Sequence, residues 1–284
     1  MRVVVLTVGT LLFASCTAPA DAPAADAASV VDAPILPVET VTLSFGPEAL
    51  AVGDERTVCV VVDVGNDVAR QARAVRASLP VGSHHMIVYR TREALRATPF
   101  PCFSFSSGDA VLGVQTAEAA LVYPDEAALA LGAHQHIRLE VHEVNYTGAP
   151  IDVTASVTFE LLPLDAEPRA PVEYLFTGDT ALSLPARTET TVTSFHSVPD
   201  GARIIGMASH THALGVRATI HRATSETAYT DLLHESTDWA NPRFDTFDPA
   251  LVLDTTEGLR LECTYDNTTD RTVNFGLDFA DEMC

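Results

Sequence analysis

From residue 39 onward the chain is written in apolar or alternating runs of strand length, cut apart by Gly, Pro, Asp and Asn. Residues 41–45, 58–64, 137–141, 153–161 and 188–195 are the clearest of these runs. Successive strand side chains face opposite sides, so each run must bury a face against a second layer. Helical periodicity is scarce, and only residues 92–97 and 126–131 offer brief helical turns. Strands this frequent predict an all-β chain of antiparallel sandwiches rather than βαβ units. A single core usually stops growing near about 250 residues, so a chain of 284 residues suggests two. The break is expected at residues 163–171, where Leu-Asp-Ala-Glu-Pro-Arg-Ala separates two strand-like stretches. That predicts β-sandwiches over residues 39–165 and 170–284, with no internal sequence repeat relating them.

The first residues read differently. Met1 and Arg2 make a minimal positive start, followed by an apolar stretch at 3–13 that is too short to span a bilayer. Residues 1–15 are therefore expected to be a secretory signal. Phe13-Ala14-Ser15-Cys16 looks like a bacterial lipobox, with Cys16 as the lipidated first residue of the mature chain. Ordinary cleavage near Ala14 is the alternative. Residues 16–38, rich in Ala, Pro and Asp, suit a solvated tether. The expected location is the periplasm or cell surface, with the membrane reached only through the lipid.

Setting Cys16 aside leaves Cys59, Cys102, Cys263 and Cys284, an even number in an exported chain, so two disulfides are the simplest assignment. Four cysteines allow three pairings. Joining neighbours, Cys59 with Cys102 and Cys263 with Cys284, keeps each bond inside one expected sandwich. A Cys-rich zinc site would need close paired spacings that the chain lacks.

The formal charge is −21, from 17 Lys+Arg and 38 Asp+Glu. All the basic residues are Arg and none are clustered, so the positive stripe that nucleic acid requires is missing. With 47% hydrophobic residues the acid excess is spread over a core-forming chain, which excludes a disordered acidic tail. A monomer is expected.

Three groups of histidines carry the chemistry. His84 and His85 enter the strand-like run ending at Tyr89, where adjacent imidazoles share a metal only if the backbone twists or bulges. His210 and His212 stand at i and i+2, which on a strand would face the same side. His136, Arg138, Glu140 and His142 would share one strand face, too polar for a core unless it lines a site; a wet outer face explains it equally well. His134 and His136 are either partners orienting His142 or solvated strand residues. His196, His221 and His234 are expected to be surface or structural bystanders. Met283, beside Cys284, would ordinarily be read as packing. Imidazoles supplemented by one thioether suit copper better than zinc.

The sequence then carries, in order, Val58-Cys59-Val60, His84-His85-Met86, Leu139-Glu140-Val141-His142, His210-Thr211-His212 with Leu214-Gly215, Cys263-Thr264-Tyr265-Asp266, and Asp281-Glu282-Met283-Cys284. In these pieces it resembles the copper type II ascorbate-dependent monooxygenases, the family of peptidylglycine α-hydroxylating monooxygenase and dopamine β-monooxygenase, over residues 57–284. The resemblance implies two jelly-roll-like sandwiches, each holding one copper, facing each other across a solvent-filled cleft. It implies that His84, His85 and His142 bind the electron-transferring copper. His210, His212 and Met283 would bind the oxygen-activating one and serve catalysis, with the Cys263–Cys284 bond presenting Met283.

The implied reaction hydroxylates a C–H bond of a small organic substrate with O2 and an ascorbate-like donor. Ala208 stands where peptide-amidating members carry an Arg near the second copper, and Glu143 follows His142 where a Tyr is common. The sequence stops at Cys284, where familiar members continue with a further strand. The alternative is a non-catalytic copper-binding or copper-sensing lipoprotein; a β-sandwich adhesion protein with incidental histidines is a third reading.

Overall fold

The computed structural model describes residues 3–5, 38–79, 82–104 and 109–284. The expected signal, tether and lipidated Cys16 lie outside the described residues, except for Val3–Val5 and Val38. Among the described residues every regular element is a strand, so the all-β expectation holds. The two stretches expected to form helical turns do not. Ala127–Leu131 is a strand pairing with Arg70–Ser78 and Ala170–Tyr174, and four of its five residues are buried, which no single helix face allows. Arg96–Pro101 pairs with Glu55–Asp63, and Pro99 and Pro101 forbid a helix interior there.

One sandwich is made by strands from residues 39 to 161. Its five-stranded sheet runs Arg96–Pro101, Glu55–Asp63, His136–Val144, Ser83–Thr91, Asp109–Val114. Against it lie Glu39–Leu50, Ile151–Leu161, Arg70–Ser78 and Ala127–Leu131, with Glu118–Val122 also on Arg70–Ser78. Alternate residues of both sheets, among them Phe45, Val75, Val88, Leu139 and Phe159, form one continuous apolar cluster. Each fully buried side chain of this size contributes about 1.5–3 kcal/mol.

The segment expected to be a linker is irregular over residues 162–169, but Ala170 and Pro171 already pair with Ala127 and Ala128. Beyond it, a four-stranded sheet runs Thr188–Ser197, Gly258–Asn267, Gly215–Ala223, Tyr229–Ser236. Two smaller apolar clusters sit on it, one around Ile204, Ile220 and Leu261, the other around Leu184, Ala218 and Tyr265. Arg203–Ala208 pairs with Phe244–Val252. Val3–Val5, part of the expected signal, lies in parallel between Arg203–Ala208 and Ala170–Tyr174.

Both disulfides join neighbouring cysteines, Cys59 with Cys102 and Cys263 with Cys284. They close loops of 43 and 21 residues, and in the chain-entropy account each contributes about 3–4 kcal/mol. Such bonds persist in an oxidising, exported environment. No helix among the described residues is long and apolar enough to cross a membrane.

Candidate metal centre

The first histidine set is positioned by sheet register. His136–Val144 lies between Glu55–Asp63 and Ser83–Thr91, with His142 opposite His85. The pairing then slips, so that Glu143 faces Ser83 and His84 is the extra residue of a bulge. A bulge re-aims a side chain, and it brings both adjacent imidazoles to His142. The ring centroids of His84, His85 and His142 are 5.0–5.4 Å apart. His142 donates from Nε2 to Glu55 Oε1 at 2.9 Å, which leaves Nδ1 facing the cluster without a hydrogen-bond partner.

The polar face of that strand is buried, not wet. Arg138 pairs with Glu140 at 2.9 Å and with Glu93 at 3.2 Å, and its Nε lies 3.0 Å from Cys59 Sγ. Below the histidines the strand therefore carries an ion-pair network packed on the disulfide. His136 hydrogen-bonds the Glu93 carbonyl and His134 sits exposed in a turn, so Glu55, not either histidine, orients His142.

The second set is built on a turn. The strand ends at Ala208, and residues 209–214 are irregular, so His210 and His212 converge without the strand alternation expected of them. Their centroids are 5.1 Å apart. The turn is held by Glu282, whose carboxylate accepts the backbone N–H of His212 at 2.9 Å and of Leu214 at 2.7 Å. Burial pushes the Glu282 carboxyl up to about 7 against the pull of those N–H groups. His212 Nδ1 donates to the Asp281 carbonyl, and His210 Nδ1 donates to Gln115 Oε1 at 2.6 Å. Gln115 in turn donates to the Trp239 carbonyl, which fixes its amide. A Cβ on Gly215 would collide with the Thr211 side chain, so the turn can close this tightly only with glycine there.

Just before His210, Ser209 Oγ lies 3.0 Å from His234 Nε2, and His234 Nδ1 lies 2.8 Å from Asp245 Oδ2. His234 is buried and structural, as one of the two expectations had it. This chain of hydrogen bonds ties the peptide preceding His210 to two strands. Met283 is buried, its carbonyl accepts from Tyr265 Oη at 2.6 Å, and it lines the same cavity as His210.

The two sets meet. His84 is 5.2 Å from His212 and 5.9 Å from His210, and His85 is 6.0 Å from His210, centroid to centroid. The solvent-filled cleft expected between them is replaced by one cluster of five imidazoles, four of them buried and His210 half-buried, closed by Gln115 on His210 and by the Phe279 N–H on Glu55. The Phe279 ring covers His84 at 5.2 Å and itself packs on Tyr146 and Trp239. Burial holds all five imidazoles below their usual range, His84 at about 3, with the neighbouring rings adding to the effect at His84, His85 and His210.

Neutral imidazoles are the form that ligates a metal. His84, His210 and His212 each keep Nε2 buried with no hydrogen-bond partner. Two triads, His84–His85–His142 and His84–His210–His212, have ligand atoms within 4.8 Å of one another. One ring nitrogen pinned and the other orphaned toward the cluster is the arrangement of metal-binding histidines, so the donor set fits a metal that takes imidazole.

The sequence reading missed Glu55, Gln115 and the holding role of Glu282. The first two lie far along the chain from the histidines they orient, and only cross-strand register or a folded contact brings them close.

Residues 181–284 match the family model described as copper type II ascorbate-dependent monooxygenase, C-terminal domain. No curated protein matches the chain.

Proposed function

We propose, from the match of residues 181–284 to the C-terminal domain of the copper type II ascorbate-dependent monooxygenases, that this chain belongs to that family and hydroxylates a C–H bond of a small organic substrate, with O2 and an ascorbate-like reductant. The observation that carries this reading is the five-imidazole cluster, with Met283 and His210 on the wall of one cavity. His84, His85 and His142 would hold one copper, and His210, His212 and Met283 a second. Copper bound there supplies one-electron redox chemistry and activation of dioxygen. The overall conversion takes R–H, O2, two electrons and two protons to R–OH and water, with the electrons drawn from the reductant.

The chain's own residues prepare for this. Glu55, Gln115 and the Asp281 carbonyl each hold one imidazole N–H, so the opposite nitrogen is presented as a donor without reorganisation. Phe279 packs on His84 and His212 and is itself backed by Tyr146 and Trp239, which shields this side of the cluster from bulk water. The bond from Cys284 to Cys263 fixes the backbone next to Met283. In line with an exported chain, the N-terminal segment would deliver the protein to the periplasm or cell surface, anchored through Cys16.

Met283→Ile tests the assignment, since it removes the sulfur and keeps the bulk. Reductant-dependent oxygen uptake should fall to the level of free copper while copper at His84, His85 and His142 remains, as read by titration and absorption-edge spectroscopy. Unchanged turnover would remove Met283 from its role. Two coppers bound by the unmodified chain with no oxygen uptake on a broad substrate panel would leave the non-catalytic copper-binding reading in its place.

A further inference from the structure

The cavity shared by His210 and Met283 has a volume of about 420 Å³. Two paired strands form one wall, with Ala218 beside Cys263 and Ile220 beside Leu261. Tyr174 and Phe176, stacked at 6.5 Å between centroids, also face the cavity. In a chain with 38 acidic and 17 basic residues, none of the side chains around this space is Asp, Glu, Lys or Arg.

Several of its polar groups are already engaged within the protein, while Thr219 Oγ1 is a buried hydroxyl without a hydrogen-bond partner. Thr177 Oγ1 and His196 Nδ1 are 2.5 Å apart, and His196 Nε2 is 2.9 Å from Ser194 Oγ. Ser209 Oγ is committed to His234. An ion entering here would leave its hydration shell and meet no charged side chain in the lining, whereas an apolar body gains with every part of its surface withdrawn from water.

We propose that this cavity takes an uncharged, mainly hydrocarbon molecule and turns one of its C–H bonds toward the His210 and Met283 end. The inference rests on reading those two residues as copper ligands and adds the substrate class to it.

The experiment is calorimetric titration of the full chain, copper-free and copper-loaded, with three probes of one shape: toluene, benzoate and benzylamine. Toluene should bind at least tenfold more tightly than either ion in both forms. Ala218→Leu, which places bulk in the cavity, should weaken toluene at least fivefold while circular dichroism stays that of the parent. Benzoate or benzylamine binding as tightly as toluene would overturn the proposal, as would unchanged toluene affinity in a folded Ala218→Leu protein. The three-probe comparison on the unmodified chain decides the matter even where the variant does not fold. A toluene preference in a chain that takes up no copper would support the cavity's chemistry while sinking the metal assignment. Two coppers with a preference for benzoate would do the reverse.

Discussion

His84, His85 and His142 are held by the register of three hydrogen-bonded strands, whereas His210 and His212 are held by side chains and carbonyls reaching into a turn. The first set inherits its geometry from a ladder that many residues share. The second depends on a few individual groups: Glu282 under the turn, Asp281 and Gln115 on the rings, and the Ser209–His234–Asp245 chain behind. Ladders spread a perturbation over many bonds; a turn hung on one buried carboxylate concentrates it. Position in the cluster is therefore robust on one side and conditional on the other. The side expected to carry the chemistry is the conditional one.

The largest effect should come from pH on the copper-free chain, and it acts on both sets. In the unfolded chain each imidazole protonates near 6.5, while burial holds His84, His85 and His210 well below that in the folded state. The stability these three contribute is present above that value and is lost as pH falls through it. At about 1.4 kcal/mol per group per unit, they remove about 4 kcal/mol between pH 7.5 and 5.5. Glu282 works the other way: its raised pKa makes its contribution complete at low pH and lost as pH rises through about 7, so it offsets part of the acid loss. Denaturant titrations should show net destabilisation toward pH 5.5, steeper in Glu282→Gln. A copper-free chain equally stable at both pH values would mean that the cluster is not buried neutral.

How much of this was legible in the sequence depended on whether the signal was local. Strand-length runs and an even cysteine count are local, and they led to the all-β fold and to both disulfides. The bulge at His84 was legible as a condition, because two adjacent imidazoles cannot otherwise share a face. Residues 126–131 misled because Ala and Leu favour helix, and burial on nearly every residue overrode that preference.

What register and turns decide was not legible. His210 and His212 looked like strand neighbours, yet Ala208 is the last residue in the ladder. The meeting of the two sets rests on contacts such as Gln115 to His210, which no spacing announces. A structural repeat was hidden too. Asn145 and Asn267 are both fully buried, both accept from the Thr two residues on, and both donate to carbonyls that close a turn after a long strand. Only Asn-x-Thr is shared between them, too little to register as a repeat in the sequence.

A more focused break in the comparison is Glu282→Ala. It strips the acceptor from two backbone N–H groups in the turn, at about 1–3 kcal/mol for each group left without a partner, so a loss of about 3 kcal/mol is expected in chemical denaturation. Copper titration should then show the second set lost or weakened and the His84–His85–His142 set intact. Equal losses at both sets would show that the turn and the ladder are one mechanical unit, and the contrast between them would fail.

The smallest effect should come from Glu55→Gln, the counterpart change on the first set. Glu55 Oε1 accepts from both His142 Nε2 and the Phe279 N–H, and its side chain is 26% exposed. Glutamine keeps an amide oxygen in the same place and loses only the charge. A hydrogen bond to a charged group exceeds a neutral one by about 1 kcal/mol, part of which solvent screens here. Affinity at the first set should therefore fall less than about tenfold, with copper binding read by competition against a chelator of known affinity. His142 would remain opposite His85, because that placement comes from backbone pairing and not from the carboxylate. A fall of a hundredfold or more would mean that the ring is steered by Glu55 rather than by the ladder. In that case both halves of the cluster would hang on single carboxylates, differing only in how deeply each is buried.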